Sequence, residues 1–534
     1  MQGVKLQPVE TSDIQSGSPA QYSLPWRVYI VAGCAALNSV NLGFAVGINA
    51  AVGPELEVDL ELDHAHLEIF IASQAGFSIL GALAASPISD RLGRRRAFAV
   101  AAITFEAGIF SMVSSSNFTM LLFGSLLLGL GIGFGLAADP IYISEIAPAR
   151  CRGRLVTWSE TGINLGIVTG FAAGYLFSRF PPAVAWRGMF LSGNVMPLMM
   201  LVLVKWVMLE SPRWLIMKDR LKEAEGILQL LSPADVDPSS TLAEIQGDIQ
   251  QTLEESGRFR WRDLICCPSK GVRAILLAGI GTACCQQLCG IDAIQFFMLF
   301  LMREAGIKTK SAQFQFMVAL GFAKLIIIPA AGKILDNVGR RKTILVSVAG
   351  MMMACLGLSL YFVLGNKGLP EVALAMLLLY VCSFSVGVGP GAWLVASEIF
   401  PTLMRSKAMS LATMSNRAMS AFMASMVLSL ATKLTWSGYF FVLALVNLAI
   451  FAFEHRYLPE TKGKTLEELA SHFARISGEL DPFMLKGFAA QGQQPQEQRL
   501  QEQQQPQALK ELPNKIGRSL GTDADACGTT HAPR

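Results

Sequence analysis

Apolar residues in this chain come in long blocks, not in alternation. Nearly uninterrupted apolar stretches run roughly over Trp26–Val52, Leu67–Ser89, Ala97–Ser115, Phe118–Tyr142, Leu155–Phe177 and Gly188–Met208. A second series runs over Ala274–Met302, Gln313–Leu335, Thr343–Leu364, Glu371–Phe400, Ala408–Ala431 and Tyr439–Phe453. Each is near or above the ~20 residues that a helix needs to cross a ~30 Å hydrocarbon core. The pattern predicts an all-α membrane protein with twelve transmembrane helices. Composition agrees: of 534 residues 52% are hydrophobic and 16% charged, with mean hydropathy +0.44. Soluble domains carry about 25% charge to cover their surface, and this chain lacks it.

Charge sorts the connecting segments into two kinds. Arg91, Arg94, Arg95 and Arg96 follow the second stretch, and Arg150, Arg152 and Arg154 the fourth. Arg340, Arg341 and Lys342 follow the eighth, and Arg405 and Lys407 the tenth. The segment between the first two stretches is acidic instead, with Glu55, Glu57, Asp59, Glu61 and Asp63. Basic loops stay in the cytosol, so both termini and the central loop are expected there. The Asn117–Phe118–Thr119 sequon falls on the other side, in a loop too short to suggest glycosylation. The first 25 residues are polar and the first apolar block exceeds a leader's h-region, so no cleaved signal peptide is expected.

The two series repeat each other. Asp90-x-x-Gly93-Arg94-Arg95 recurs as Asp336-x-x-Gly339-Arg340-Arg341, 246 residues later. Glu145, seven residues before Arg152, recurs as Glu398, seven before Arg405. Leu-Glu210-Ser-Pro after the sixth stretch answers Pro-Glu460-Thr-Lys after the twelfth, at an offset of 250. Three motifs at similar offsets predict two six-helix halves in parallel pseudo-repeat. The halves are expected over 26–215 and 272–458, with a cytosolic segment over 1–25 and a cytosolic tail over 459–534. Between the halves, 216–271 turns charged, and Leu221–Leu228 and Leu242–Glu255 read as short amphipathic helices. From about residue 491 the tail is rich in Gln and Pro and is expected to be disordered. Cys34, Cys284, Cys285, Cys289, Cys355 and Cys382 lie in apolar stretches and read as small packing residues; Cys266 and Cys267 lie in the central loop.

The duplicated turn suggests a gate. A Gly turn followed by guanidinium groups suits bidentate contacts with carboxylates at neighbouring helix ends. Glu145 and Glu398, or Glu210 and Glu460, are available on that side. The gating set is therefore Asp90, Arg91, Gly93, Arg94, Arg95, Glu145, Arg152 and Glu210, with Asp336, Gly339, Arg340, Arg341, Glu398, Arg405 and Glu460 in the second half. Fixing topology is the simpler task of such arginines, but it does not explain the duplicated Asp-x-x-Gly-Arg-Arg form.

The chain resembles the sugar porter family of the major facilitator superfamily over roughly residues 25–475. The resemblance rests on the Asp90 motif, Tyr142-Ile-Ser-Glu-Ile-Ala-Pro with Arg152-Gly, Glu210-Ser-Pro-Arg-Trp-Leu, and Gln286-Gln-Leu-Cys-Gly-Ile-Asp. Gly389-Pro-Gly-Ala-Trp393, Ser397-Glu-Ile-Phe-Pro and Pro459-Glu-Thr-Lys-Gly complete it. Glu160, Gly290-Ile-Asp-Ala293 and Lys324 are most similar to the plant-type polyol and monosaccharide branch. The resemblance implies a carrier of a sugar or polyol, hexose-like or linear, working by alternating access. It places Gln286, Gln287, Asp292, Phe296, Lys324, Trp393, Asn416 and Glu160 at the substrate. Arg417 beside Asn416 is unusual among the better-known hexose members.

Elementary chemistry supports that assignment. Ionisable groups at bilayer depth are costly and line cavities or pair, and hydroxylated solutes need both donors and acceptors. The seventh stretch holds Gln286, Gln287, Asp292 and Gln295. On an unbroken helix Gln286 and Asp292 point about 120° apart, and Gly290 permits a break that brings them together. Glu106 and Asp139 match nothing in the family and read as a structural salt bridge or a helix-end position. Proton-coupled members carry an acid in the first span and an arginine in the fourth. Here those positions are Ala45 and Ser125, which favours facilitated diffusion. Proton symport through Glu160, Asp292 or Asp139 is the alternative, and a non-transporting sugar sensor is the reading from another class. The partners expected are the solute, the lipid bilayer and, in the alternative, protons. No nucleotide-binding loop, cofactor, metal site, nucleic acid or enzymatic constellation is indicated. A plasma-membrane location is expected.

Overall fold

The computed structural model describes residues 25–147, 152–231, 237–256, 264, 269–365, 369–464, 468, 469 and 473. The segment over 1–24, Arg150, Cys266, Cys267 and the Gln-rich tail lie outside the described residues, as do the side chains of Arg152 and Arg154.

The first half comprises α1 (Trp26–Asp59), α2 (His64–Leu92), α3 (Arg94–Val113), α4 (Phe118–Ile146), α5 (Arg152–Phe177), α6 (Pro182–Ser192) and α7 (Val195–Trp206). Short helices α8 (Pro212–Met217), α9 (Leu221–Leu231) and α10 (Pro238–Ser256) follow. The second half comprises α11 (Lys270–Leu288), α12 (Ile291–Phe296), α13 (Met298–Glu304), α14 (Lys310–Val338) and α15 (Arg340–Val363). It closes with α16 (Pro370–Val386), α17 (Val388–Ile399), α18 (Thr402–Ala424) and α19 (Val427–Tyr457). Among the described residues, ten helical stretches are long and apolar enough to cross a membrane. The charged helices α5 and α18 bring the spans to twelve, because Glu160, Arg405, Lys407 and Arg417 lower their apolarity.

Several spans are broken or longer than the apolar pattern predicts. Helix α1 runs on to Asp59, so Glu55, Glu57 and Asp59 belong to a helix and not to a loop. Apolarity ends before the helix does because those carboxylates project at its end. The sixth span is split between α6 and α7, the tenth at Gly387, and the seventh at both Gly290 and Phe297. The eleventh ends α18 at Ala424 and continues into α19, which breaks again at Thr435 (φ 62, ψ 164) before the twelfth.

Helix α1 is the most enclosed span, with 78% of its apolar window buried. It packs on α4, α5 and α6 within its half and on α12 and α13 across the halves. Contact with α5 is backbone-close: a Cβ at Gly43 would stand 1.8 Å from the Ile163 carbonyl oxygen. Small residues permit such approach where hydrocarbon supplies no hydrophobic drive. The halves also meet along α2 with α18 and α5 with α14. Outward side chains such as Ile326 and Val346 are 72% exposed, as a lipid-facing surface requires. The cysteines of the spans are free, with Cys34, Cys285, Cys289 and Cys355 buried.

Candidate functional site

At the end that carries α8–α10, here the linker end, one turn is built twice. Gly93 (φ 96) and Gly339 (φ 105) join α2 to α3 and α14 to α15. A Cβ at Gly93 would stand 2.4 Å from Glu210 Oε2, and one at Gly339 2.7 Å from Glu460 Oε2. Backbone sign and space thus both demand glycine. Glu210 accepts from the backbone N–H groups of Arg94 (2.7 Å) and Arg95 (3.1 Å). Glu460 accepts from those of Arg340 (2.9 Å) and Arg341 (3.2 Å). Each carboxylate satisfies first-turn donors and faces the positive end of the helix dipole.

The side chains then divide their partners. Arg94 donates to Glu145 through Nε (3.1 Å) and Nη2 (3.0 Å), and to Asp90 through Nη1 (2.7 Å). Arg340 Nη2 stands 3.0 Å from Glu398 and 2.9 Å from Asp336. Arg95 caps the carbonyls of Val204 (2.6 Å) and Lys205 (2.7 Å), and Arg341 that of His455 (2.5 Å). Arg405 donates to the Phe400 carbonyl at 3.0 Å, and Arg91 is exposed. Each of these bonds joins residues of one half. The carboxylates therefore do two separate jobs, capping backbone and holding guanidinium, and the clusters brace each half from within.

Mid-bundle, polar groups from both halves converge. Gly290 is left-handed (φ 92, ψ 15) and ends α11, so α12 starts in a new direction. Gln286 Nε2 donates to the Gly389 carbonyl at 2.6 Å, and its Oε1 accepts from Asn416 Nδ2 at 2.8 Å. Arg417 grips Asn416 Oδ1 through Nε (3.0 Å) and Nη2 (2.6 Å). Asp292 accepts from Ser420 Oγ at 2.8 Å and lies 3.9 Å from Arg417 Nη1. Glu160, on α5 of the other half, lies in the field of Lys324 and Arg417, and Lys324 in that of Asp292 and Glu160. Two acids and two bases thus balance. Phe296 is buried and Trp393 half-buried, one turn beyond Gly389 on α17. Sequence reading named seven of these side chains but gave Arg417 no role and missed Ser420; a hydroxyl one turn from Arg417 was the available signal.

Two other acids depart from expectation. Asp139 is buried in α4 and accepts from Asn38 Nδ2 (2.9 Å) and Ser39 Oγ (2.6 Å), so it is hydrogen-bonded by neutral groups and forms no salt bridge in that cluster. Glu106 lies in mid-α3 with both carboxylate oxygens unpartnered, neither at a helix end nor salt-bridged. Ser125 bonds Ser73 Oγ (2.7 Å) and the Phe70 carbonyl (3.2 Å), and Ala45 is buried.

At the far end several contacts cross between halves, while Asp59 holds Arg187 at 2.9 Å within the first. Buried Glu55 holds Lys310 at 2.6 Å. Buried Glu68 accepts from the Ser429 N–H at 2.8 Å and from the Ser429 hydroxyl, in the first turn of α19. His64 meets Phe300 edge-on at 6.1 Å, and Tyr175 meets Phe314 at 6.4 Å. A groove lined by Glu57, Asp63, His64, Ser429, Thr432 and Lys433 overlies that seam. None of these residues was named as a gate in the sequence; Glu55, Glu57 and Asp63 read only as a topology signal, and Glu68 was not singled out. Asn117, in the expected sequon, caps α4 by accepting from the Met120 N–H at 2.9 Å.

Known proteins share this architecture. Probable polyol transporter 4 of Arabidopsis thaliana is 36% identical over 84% of this chain and 85% of its own length. Sugar transporter ERD6-like 7 of the same plant is 30% identical over 87% and 97%. The xylose transporter XylE from E. coli in its inward open conformation superposes with TM-score 0.71 at 23% identity, covering 83% of this chain and 99% of that one, and so shares the fold. The model of the sugar (and other) transporter family matches residues 28–473, and with these relatives it shows that the chain belongs to that family.

Proposed function

We propose that this transporter moves a linear polyol or a hexose-like sugar by alternating access, down the solute gradient. The observation that carries the reading is the mid-bundle cluster, in which Glu160 of one half lies in the field of Lys324 and Arg417 of the other, and Arg417 approaches Asp292. Amides and balanced charges suit a neutral, hydroxyl-rich solute, which donates and accepts at each oxygen. Gln286, Gln287, Asp292, Phe296, Lys324, Trp393, Asn416 and Glu160 form the substrate set in this reading. The relatives named polyol transporters support the solute class. The basic linker end faces the cytosol, with the termini, and the plasma membrane is the host.

Downhill transport follows from Ala45 and Ser125, which hold no charge to relay a proton. The competing reading, proton symport, rests on Asp139, a buried carboxylate held by neutral donors. Uptake into proteoliposomes tests all of this. Labelled sorbitol or glucose should enter until it equilibrates, and an imposed inward proton gradient should add little. Accumulation abolished by an uncoupler and by Asp139→Asn would establish symport instead. Saturable binding with no uptake would make the protein a sensor.

A further inference from the structure

Three glutamines occupy the seventh span, and the protein satisfies only one of them fully. Both ends of the Gln286 amide are taken, by Gly389 and Asn416. Gln287 and Gln295 are as deeply buried, at 4% and 2% exposure. Yet Oε1 of Gln287 and Nε2 of Gln295 have no hydrogen-bond partner. A buried amide left unmet destabilises a fold. Leucine or methionine fills such a site without that cost, so the glutamines need another use.

Their placement suggests it. Gln295 lies on α12, a six-residue helix set off by left-handed Gly290 and by the break at Phe297 (φ −105, ψ 20). On α12, Asp292 and Gln295 are three apart and share a face. Asp292 already reaches Ser420 and approaches Arg417 in the mid-bundle cluster. Helix α12 packs on α1 of the other half and on α18, so Gln295 sits where the halves enclose a solute. Gln287 lies in the last turn of α11 and Gln295 on α12, on opposite sides of the break at Gly290. One has a free acceptor and the other a free donor.

We propose that Gln295 is a specificity-determining residue, which with Gln287 takes hydroxyls at the two ends of an extended polyol. A compact hexose ring engages one end or the other. The inference rests on the carrier reading above and names the shape of its solute.

The test compares wild type with Gln295→Met and Gln295→Leu in proteoliposomes, using sorbitol and glucose as probes. KM for sorbitol should rise about three- to tenfold in both variants, and KM for glucose by less than about twofold. The thermal midpoint should stay or rise, because an unmet donor is removed. Equal shifts for both probes, or none, overturn the proposal. So does a lowered midpoint with parallel loss for both, which assigns Gln295 to packing. If wild type moves neither probe the carrier reading fails, and calorimetric binding of sorbitol to the purified protein decides Gln295 alone: equal affinity in wild type and variants overturns it.

Discussion

The two ends of the bundle are held by opposite designs. At the linker end the same charged cluster occurs twice, once in each half, and its bonds stay inside their own half. At the far end, beside the within-half pair of Asp59 and Arg187, contacts unlike one another cross the seam: Glu55 to Lys310, Glu68 to Ser429, His64 to Phe300. Repetition serves rigidity, since a half that rocks as a unit must keep its own helix ends together. Crossing contacts serve a state, since they must break when the far end opens. The present arrangement is therefore the one with the far end shut. In this arrangement the linker-end charges brace each half from within, and the contacts that hold the halves to each other, the latch, lie opposite.

The largest effect should come from the brace of the first half. Arg94 and Glu145 are each 9% exposed, and Glu145→Leu leaves a buried guanidinium with Asp90 as its remaining carboxylate partner, beside the Ser89 hydroxyl. The loss should be about 3–5 kcal/mol of stability, read from thermal unfolding in detergent. Glu398→Leu, in the second half, should cost less, about 1–3 kcal/mol, because Glu398 is 28% exposed and water screens it. A Glu145→Leu protein that unfolds normally but labels faster at the linker end would make this pair a gate and not a brace.

Breaking the latch should change population more than stability. Glu68→Ala removes two charge-assisted hydrogen bonds to the start of α19, worth about 1.5–3 kcal/mol each at most. The far-end-open state should gain about tenfold or more. A cysteine introduced at Thr432, in the groove over the seam, should react faster with an impermeant thiol reagent. Unchanged labelling would remove Glu68 from the latch. Lys310→Ala should act in the same direction but more weakly, by about 1 kcal/mol or less, since Lys310 is 54% exposed. Its effect should shrink in high salt, and that of Glu68→Ala should not.

What was legible in the sequence follows the same division. The spans, the repeat and the braces were written in blocks of apolar residues and in a motif that appears twice. Gly93 and Gly339 announced a turn because no other residue fits beside Glu210 and Glu460. The mid-bundle set was legible only through the family resemblance, and Gly290 through the helix break that a glycine permits. The latch was not legible, because Glu68 and Ser429 are 361 positions apart and lack a counterpart pair elsewhere. Broken spans were also hidden, since Phe297 and Met426 interrupt helices without interrupting apolarity. Asp139 showed its depth but not its partners, which are neutral residues of α1.

The smallest effect should come from Asp63, at the start of α2 beside the latch. Its carboxylate accepts from the His66 N–H at 2.8 Å and holds the ring nitrogen of His66 at 2.6 Å. That backbone bond, first among the causes, holds the Asp63 carboxyl below the usual range. A depressed folded-state pKa means stability that is present above the unfolded value of about 3.9 and is lost as pH falls through the folded value. The loss therefore lies on the acid side, below about pH 4, and neutral pH leaves the cap intact. Asp63→Asn keeps an acceptor and should flatten that acid dependence while leaving neutral behaviour unchanged. Asp63→Ala removes the cap and should loosen the start of α2 at every pH. Because Glu68 sits one turn farther along α2, Asp63→Ala should also raise labelling at Thr432 slightly, less than Lys310→Ala does. Labelling as strong as that of Glu68→Ala would mean that the cap, and not the crossing carboxylate, holds the far end shut.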